Sequence, residues 1–216
     1  APAPTTATDA PPQPPGGTAA RTIDWDARYR RGWAYGKQPN EFLAAWAAEH
    51  LGAAVPCGGH VLCVGEGQGR NAVHLARLGH AITAVDQSAV GLGKAARWAE
   101  AAGVPAERFI TVVADLTDYA PEPASVDGVA SIFVALPAAA RARLHAACVT
   151  ALRPGGLVVI ECFAPAQAAL RGARAAGPPA EMLVGADELR ADFAGLEVLV
   201  CREVRRQLDE GRFHRG

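Results

Sequence analysis

Three glycines at alternating positions form the stretch of this chain that is best suited to hold a ligand. Gly65, Gly67 and Gly69 follow the apolar run 61–64 and precede a segment of helical character. Glycine adopts backbone angles closed to other residues and has no side chain to keep a ligand away. The helix N-terminus adds free N–H groups and partial positive charge. The pattern predicts a nucleotide-type pocket, although alone it also fits an ordinary tight turn.

Two aspartates follow the next two predicted strands. Asp86 lies 17 positions after the last glycine, where an acidic residue can accept hydrogen bonds from a ribose diol. Asp86 could instead cap the next helix, but Ser88 is better placed for that. Asp115 could bond an adenine amino group, with Leu116 against the ring, or it could cap a loop.

Candidate acid–base groups are fewer, and each has a structural alternative. His145 falls inside a predicted helix and Glu161 inside a predicted strand, whereas His214 follows the last predicted strand. A second role, holding an anionic substrate, is open to Arg171, Arg174, His214 and Arg215. A solvated surface is the alternative for these cationic residues.

Strands and helices of suitable length alternate along the chain, with predicted strands at 61–64, 81–85, 109–113, 125–133, 157–163 and 196–205. This alternation predicts a doubly wound, Rossmann-like α/β fold, with a mainly parallel sheet and helices on both faces. The glycine turn and both aspartates then lie at the carboxyl ends of successive strands, where such sheets bind ligands.

The remaining segments frame one domain, predicted at 21–216. Residues 1–20 are rich in alanine and proline and are expected to be a disordered tail. Residues 21–55 hold most of the large aromatic side chains and predict a helical cap, with Asp24 and Asn40 as helix caps. This cap could cover the core or close over a ligand. Residues 164–192 are expected to form a lid or substrate region.

The composition of the 216 residues excludes several classes. The formal net charge is −1, which argues against nucleic acid as a partner. No apolar run could span a bilayer. The five cysteines show no C-x-x-C spacing, so we expect reduced thiols and no metal site, in a cytoplasmic monomer or homodimer.

Four motifs together resemble class I S-adenosylmethionine-dependent methyltransferases: V-L-C-V-G-E-G-Q-G-R-N-A, A-V-D-Q-S, V-A-D-L and L-R-P-G-G. The similarity covers about residue 22 to the end of the sequence. W-D-A-R-Y and Y-G-K-Q-P-N-E-F-L resemble the small-molecule branch related to tellurite-resistance and thiopurine methyltransferases. The resemblance implies methyl transfer from S-adenosylmethionine to a small molecule, such as a soft thiol, selenium or tellurium species or an anionic acceptor.

The resemblance also implies roles for individual residues. The glycines would line the methionine part of the cofactor, Asp86 would bind the ribose, and the stretch from Ala114 through Asp115 to Leu116 would contact adenine. The residues expected beside these, or closing the site, are Tyr29, Tyr35, Glu66, Asn71, Gln87 and Ser88.

The sequence departs from this family pattern in two places. Many members carry an acidic residue where this chain has Cys63, which leaves Glu66 as the nearest carboxylate. After 196–205 too little chain follows for the usual last antiparallel strand, so we expect an incomplete sheet with an open edge or a shortened chain.

Two rival functions use similar features. The first is an NAD(P)-dependent oxidoreductase, although the glycine spacing is G-x-G-x-G and the chain has no Tyr-x-x-x-Lys pair. The second is a non-catalytic cofactor-binding module.

Overall fold

The computed structural model describes residues 23–51, 55, 58–170 and 177–214, and the tail predicted at 1–20 lies outside them. Its strands are β1 His60–Val64, β2 Ala81–Asp86, β3 Phe109–Val113, β4 Val126–Ile132 and β5 Leu152–Glu161. Its α-helices are α1 Trp25–Arg30, α2 Glu41–Trp46, α3 Arg70–Arg77, α4 Ala89–Ala101, α5 Ala138–Ala151, α6 Gln167–Leu170 and α7 Ala186–Asp192. None of these helices is long and apolar enough to cross a membrane.

The five strands form one sheet in the order β3-β2-β1-β4-β5, and every pair of neighbours is parallel. The predicted Rossmann-like α/β fold is therefore confirmed. Because all strands run the same way, the residues after β1, β2, β4 and β5 meet at one edge of the sheet. The chain order reverses beside β1, which is where open α/β sheets bind ligands.

β1 is apolar throughout because both of its faces are covered. Val61 and Cys63 belong to one hydrophobic cluster, and Leu62 and Val64 belong to the other. Successive side chains of a strand point to opposite faces, so a strand buried on both sides has no polar position.

The prediction of a strand at 196–205 is wrong. Among the described residues these form no ladder with the sheet, and Val198, Leu199 and Val200 are exposed. The segment lies against α7 instead, where Arg190 donates to the carbonyl of Cys201 over 3.1 Å. Side-chain contacts therefore override the strand propensity of this run.

The predictions of helix caps are confirmed. Asp24 caps α1 by accepting from Ala27 N, and Asn40 caps α2 by accepting from Leu43 N. The helix that Asn40 caps is α-helical over Glu41–Trp46 and continues as a π-helix, Ala47–Leu51. In the predicted lid, the described parts form α6, a 3₁₀ turn (Ala180–Met182) and α7.

Candidate functional site

The glycine turn has the backbone that its sequence predicts. Gly65, Gly67 and Gly69 have φ angles of +63°, +62° and +92°, in the left-handed region. A Cβ on any of them would also lie within 2.6 Å of another side chain, and the groups in those positions are Val134, the Tyr29 hydroxyl and Ala95. Both the angles and the close approach require glycine here.

Asp86 lies at the end of β2 and is buried. Its Oδ2 accepts from Gly67 N and its Oδ1 accepts from Ser88 N, both over 2.8 Å. Burial raises its pKa, although these two N–H groups act in the opposite direction. A carboxylate has about four acceptor positions, so each oxygen retains capacity for a ribose hydroxyl. Ser88 caps α4, as predicted, by accepting from Gly91 N.

Glu66 points into the protein beneath the turn. Its Oε1 accepts from Asn71 N over 3.0 Å and from Ala72 N over 2.9 Å, and it thereby caps the start of α3. Burial raises the pKa of this carboxyl to about 7, against the lowering effect of the two N–H groups. Glu66 therefore has a structural task, and its expected role toward the cofactor stays a prediction.

The aromatic cap lies directly on the glycine turn. Tyr29 is 3% exposed and its ring contacts Gly67 and Gly91. Two long-range hydrogen bonds hold the cap: Asn71 Oδ1 accepts from Asn40 N over 2.9 Å, and Gln68 Oε1 accepts from Ala34 N over 2.7 Å. The cap thus covers both the core and the site, so its two sequence interpretations are compatible.

The predicted adenine wall is only partly assembled around the turn. Leu116 Cδ1 lies 3.7 Å from the position of a Cβ on Gly65, and Ala114 N donates to the carbonyl of Asp86 over 3.1 Å. Asp115 is exposed, and its Oδ1 accepts from Thr117 N over 2.9 Å. Its loop-cap alternative is therefore observed. Gln87 is exposed next to Asp86.

The structure adds a cluster of four partly exposed rings that contact one another, which we call the aromatic chamber and which consists of Tyr35, Phe133, Phe163 and His214. The rings of Phe133 and Phe163 stack at 4.7 Å, and His214 lies 4.7 Å from Phe133 and 4.5 Å from Tyr35. Sequence reasoning missed both phenylalanines. Each is the last residue of a predicted strand (125–133 and 157–163), at the carboxyl ends where such sheets bind ligands.

The other candidate residues divide into two groups. His145 is buried in α5 and pairs through Nδ1 with Asp192 Oδ2 over 2.7 Å, which supports its structural alternative. Glu161 receives hydrogen bonds from Arg206 and Asn40 at the end of β5. Arg171, Arg174 and Arg215 lie outside the described residues.

Cys63 cannot substitute for the missing acid. It is fully buried in the core, and burial raises the pKa of its thiol well above the ordinary range. At neutral pH it is an uncharged packing residue of β1. Within the described residues, the carboxylates nearest the turn are those of Glu66 and Asp86.

Residues 61–156 match a protein family described as a methyltransferase domain. This region runs from β1 into β5 and contains the glycine turn, Asp86 and Asp115. A search among curated proteins gives no match.

Several solved structures share the fold. One, from work on the conversion of a disulfide bond into a thioacetal group during echinomycin biosynthesis, is 28% identical, with 79% of this chain and 76% of that chain covered and a TM-score of 0.61. The CcbJ methyltransferase from Streptomyces caelestis is 26% identical over 65% of this chain, with a TM-score of 0.52, and only 56% of its own length is covered. A Geobacter sulfurreducens S-adenosylmethionine-dependent methyltransferase in complex with S-adenosyl-L-homocysteine is 21% identical, with coverages of 81% and 70% and a TM-score of 0.59.

Proposed function

We propose that this chain, an S-adenosylmethionine-dependent methyltransferase, transfers the methyl group to the sulfur atom of a small molecule. The observation that carries the acceptor class is the aromatic chamber, which lies at the carboxyl ends of β4 and β5 on the same edge of the sheet as the glycine turn. The cofactor supplies an activated methyl group on a sulfonium. The protein must then align the nucleophile and exclude water, effects worth up to roughly 7–11 kcal/mol in favourable cases.

The residues around the turn fit this cofactor. The glycine backbone allows close approach, and Asp86 is a carboxylate with free acceptor capacity at the end of β2. Leu116 and Val134 give an apolar wall beside Gly65. Glu66 and Asp86 also place negative charge near a ligand that carries a sulfonium, a combination that a pyrophosphate-containing cofactor would disfavour.

A sulfur acceptor suits the chamber walls. Thiolates are soft, strong nucleophiles and need little base assistance once ionised, so apolar and aromatic walls are adequate for positioning them. The work on the 28% identical relative concerns conversion of a disulfide into a thioacetal, which is sulfur chemistry. The resemblance to the tellurite-resistance and thiopurine branch supports the same class, because selenium and tellurium nucleophiles are also soft. The four described cysteines are free, as suits a reducing compartment.

The two rivals are less well supported. The methyltransferase match over residues 61–156 speaks against an NAD(P)-dependent oxidoreductase. A non-catalytic cofactor-binding module would share the turn and Asp86, so only turnover separates it from the proposal.

The test is a methyl-transfer assay with three acceptors that differ in one atom: thiophenol, phenol and aniline. We expect the methyl thioether and S-adenosylhomocysteine in equal amounts from thiophenol, and rates at least about tenfold lower from phenol and aniline. Gly67→Val is the matched control for contaminating activity, because its Cβ would lie 2.5 Å from the Tyr29 hydroxyl. Faster turnover of phenol or aniline would contradict the sulfur assignment. Cofactor binding without methylation of any acceptor, selenite and tellurite included, would favour the non-catalytic module.

A further inference from the structure

A buried ionic cluster lies beside the aromatic chamber and is centred on Glu210. Its Oε2 accepts from Arg70 Nη2 over 2.8 Å, and its Oε1 accepts from Asn40 Nδ2 over 2.9 Å. Arg206 lies 3.6 Å from Oε1. The side chain of Glu210 is only 5% exposed, so these partners are what allow it to be buried as an anion.

Glu210 is an anion throughout the physiological range. Burial alone would raise its pKa, but the interactions with His214, Arg70 and Asn40 lower the pKa to about 2. The chain therefore keeps a permanent negative charge next to the chamber. The ion pair with Arg70 accounts for the burial of Glu210. It does not account for the imidazole of His214, which lies beside the same carboxylate.

His214 connects this anion to the chamber. Its Nδ1 is buried without a hydrogen-bond partner in the described residues and lies 3.7 Å from Glu210 Oε2. That separation is an ion-pair distance, longer than a hydrogen bond. Because Nδ1 faces Glu210, the second ring nitrogen, Nε2, points away from that carboxylate. The ring is held by aromatic contacts with Tyr35, Phe133 and Phe163.

The chamber wall also contains a strained residue. Phe133 has a φ of +57° immediately after β4, a conformation that is rare for bulky residues. The surrounding structure enforces it, since Phe133 N donates to the carbonyl of Glu161 over 2.7 Å. This strain turns the ring against Phe163 and His214. Its neighbour Val134 lies against Gly65, so the segment that follows β4 reaches the glycine turn.

We propose that His214 is the general base of the reaction and takes the thiol proton of an acceptor bound against the exposed side of the aromatic chamber. This inference rests on the proposed function. Nε2 accepts the S–H proton, and the sulfur electron pair forms the new C–S bond. The bond between the methyl group and the cofactor sulfur breaks, and its electron pair stays on that sulfur. The imidazolium, stabilised by Glu210, then releases its proton to water.

The other titratable or charged groups around His214 lie in four parts of the chain: the cap, α3, β5 and the C-terminal segment. Tyr35 in the cap is hydrogen-bonded to Arg28 Nη1 over 3.1 Å. The remaining charged groups act through Glu210 and are Arg70 on α3, Glu161 on β5 and Arg206 in the C-terminal segment. Of these groups, Glu210 is the one that forms an ion-pair contact with the imidazole, 3.7 Å from Nδ1.

The test compares two thiols that differ in acidity. At pH 7 an alkyl thiol, with a pKa near 8.5, must lose its proton, whereas an aromatic thiol of lower pKa is largely ionised already. We expect His214→Asn to lower kcat/KM for cysteine as the acceptor by about 10²-fold or more, and that for thiophenol by less than about threefold. Raising the pH to about 9 should restore most of the alkyl-thiol rate, because the acceptor then ionises unaided. His50→Asn is the matched control, since His50 contacts Trp46 outside the chamber.

The outcomes separate the base role from a structural one. Equal losses with both thiols would mean that His214 only shapes the chamber, and no loss with either would also overturn the proposal. S-adenosylhomocysteine affinity, measured by calorimetry, should stay within about twofold of wild type. If the wild type methylates phenol in preference to thiols, the sulfur assignment fails, and phenol against 4-nitrophenol repeats the same test of His214. If the wild type methylates nothing, both proposals fall.

Discussion

Three buried carboxylates border the site, and their pKa values shift in opposite directions although burial by itself raises all three. At the glycine turn, Glu66 and Asp86 are satisfied by backbone N–H groups, and burial raises both pKa values, that of Glu66 to about 7. In the C-terminal cluster, Glu210 has a cationic partner, and its pKa falls to about 2. Backbone dipoles therefore do not offset the desolvation of the turn carboxylates, whereas His214, Arg70 and Asn40 together do so for Glu210.

The turn carboxylates and Glu210 also differ in whether a cationic side chain is paired with them. The turn carboxylates are not neutralised by the protein, so a positively charged ligand would complete their environment. Glu210 is an anion that is already paired with Arg70, and it lies 3.7 Å from His214 Nδ1. One side of the site is thus prepared to receive a cation, and the other side is fixed before any ligand binds.

The largest expected effect is the loss of stability when Arg70, the cation closest to Glu210, is removed. Arg70→Met should lower the free energy of unfolding by about 3–5 kcal/mol, because it leaves a buried carboxylate without its closest partner. Urea denaturation measures this change. The double variant with Glu210→Gln should recover part of the loss, and strict additivity of the two substitutions would contradict the pairing.

Acid should remove the same stabilisation without any substitution. The pKa of Glu210 is about 2 in the folded chain against an ordinary 4.5, so the unfolded state binds more protons as the pH falls. The stabilisation is fully present above about pH 5 and is lost toward pH 2, a change of about 3 kcal/mol. Denaturation curves from pH 6 to 3 test this, and Glu210→Gln should flatten the slope.

A substitution at the glycine turn is expected to change the affinity for S-adenosylhomocysteine. Asp86→Asn should weaken S-adenosylhomocysteine binding by about 100-fold, which corresponds to about 2.7 kcal/mol, because a charged acceptor for the ribose is lost. Asp115→Asn, at an exposed loop position, should weaken it by only about threefold. Calorimetry at pH 7.5 gives both values, and equal losses would remove the distinction between the two aspartates.

The smallest expected effect is on the pH dependence that Glu66 causes. Its folded pKa of about 7 lies above the ordinary 4.5, so its contribution to stability is full below about pH 4.5 and is lost as the pH rises through 7. The free energy of unfolding should fall by roughly 2 kcal/mol between pH 5 and 8. Glu66→Gln keeps an oxygen for Asn71 N and Ala72 N and should abolish this fall. A persistent slope in the variant would place the titration elsewhere.

Some features of this protein follow from local sequence alone. A doubly covered strand must be apolar, a turn with left-handed angles must use glycine, and helices begin where a side chain can accept from their first N–H groups. Asp24, Asn40 and Ser88 satisfy the last rule over three residues of sequence. The alternation of strands and helices then brings Asp86 to the turn, so its contact with Gly67 N was predictable.

The tertiary structure alone decided the surroundings of Glu210 and His214. Glu210 meets Arg70 across 140 positions and Asn40 across 170, and no local spacing encodes such pairs. Likewise 196–205 has the composition of a strand but lies against α7, because contacts with Arg190 and Ala186 replace a sheet partner. Local rules fix what a segment can form, whereas the charge of Glu210 and the packing around His214 depend on which distant groups share their burial.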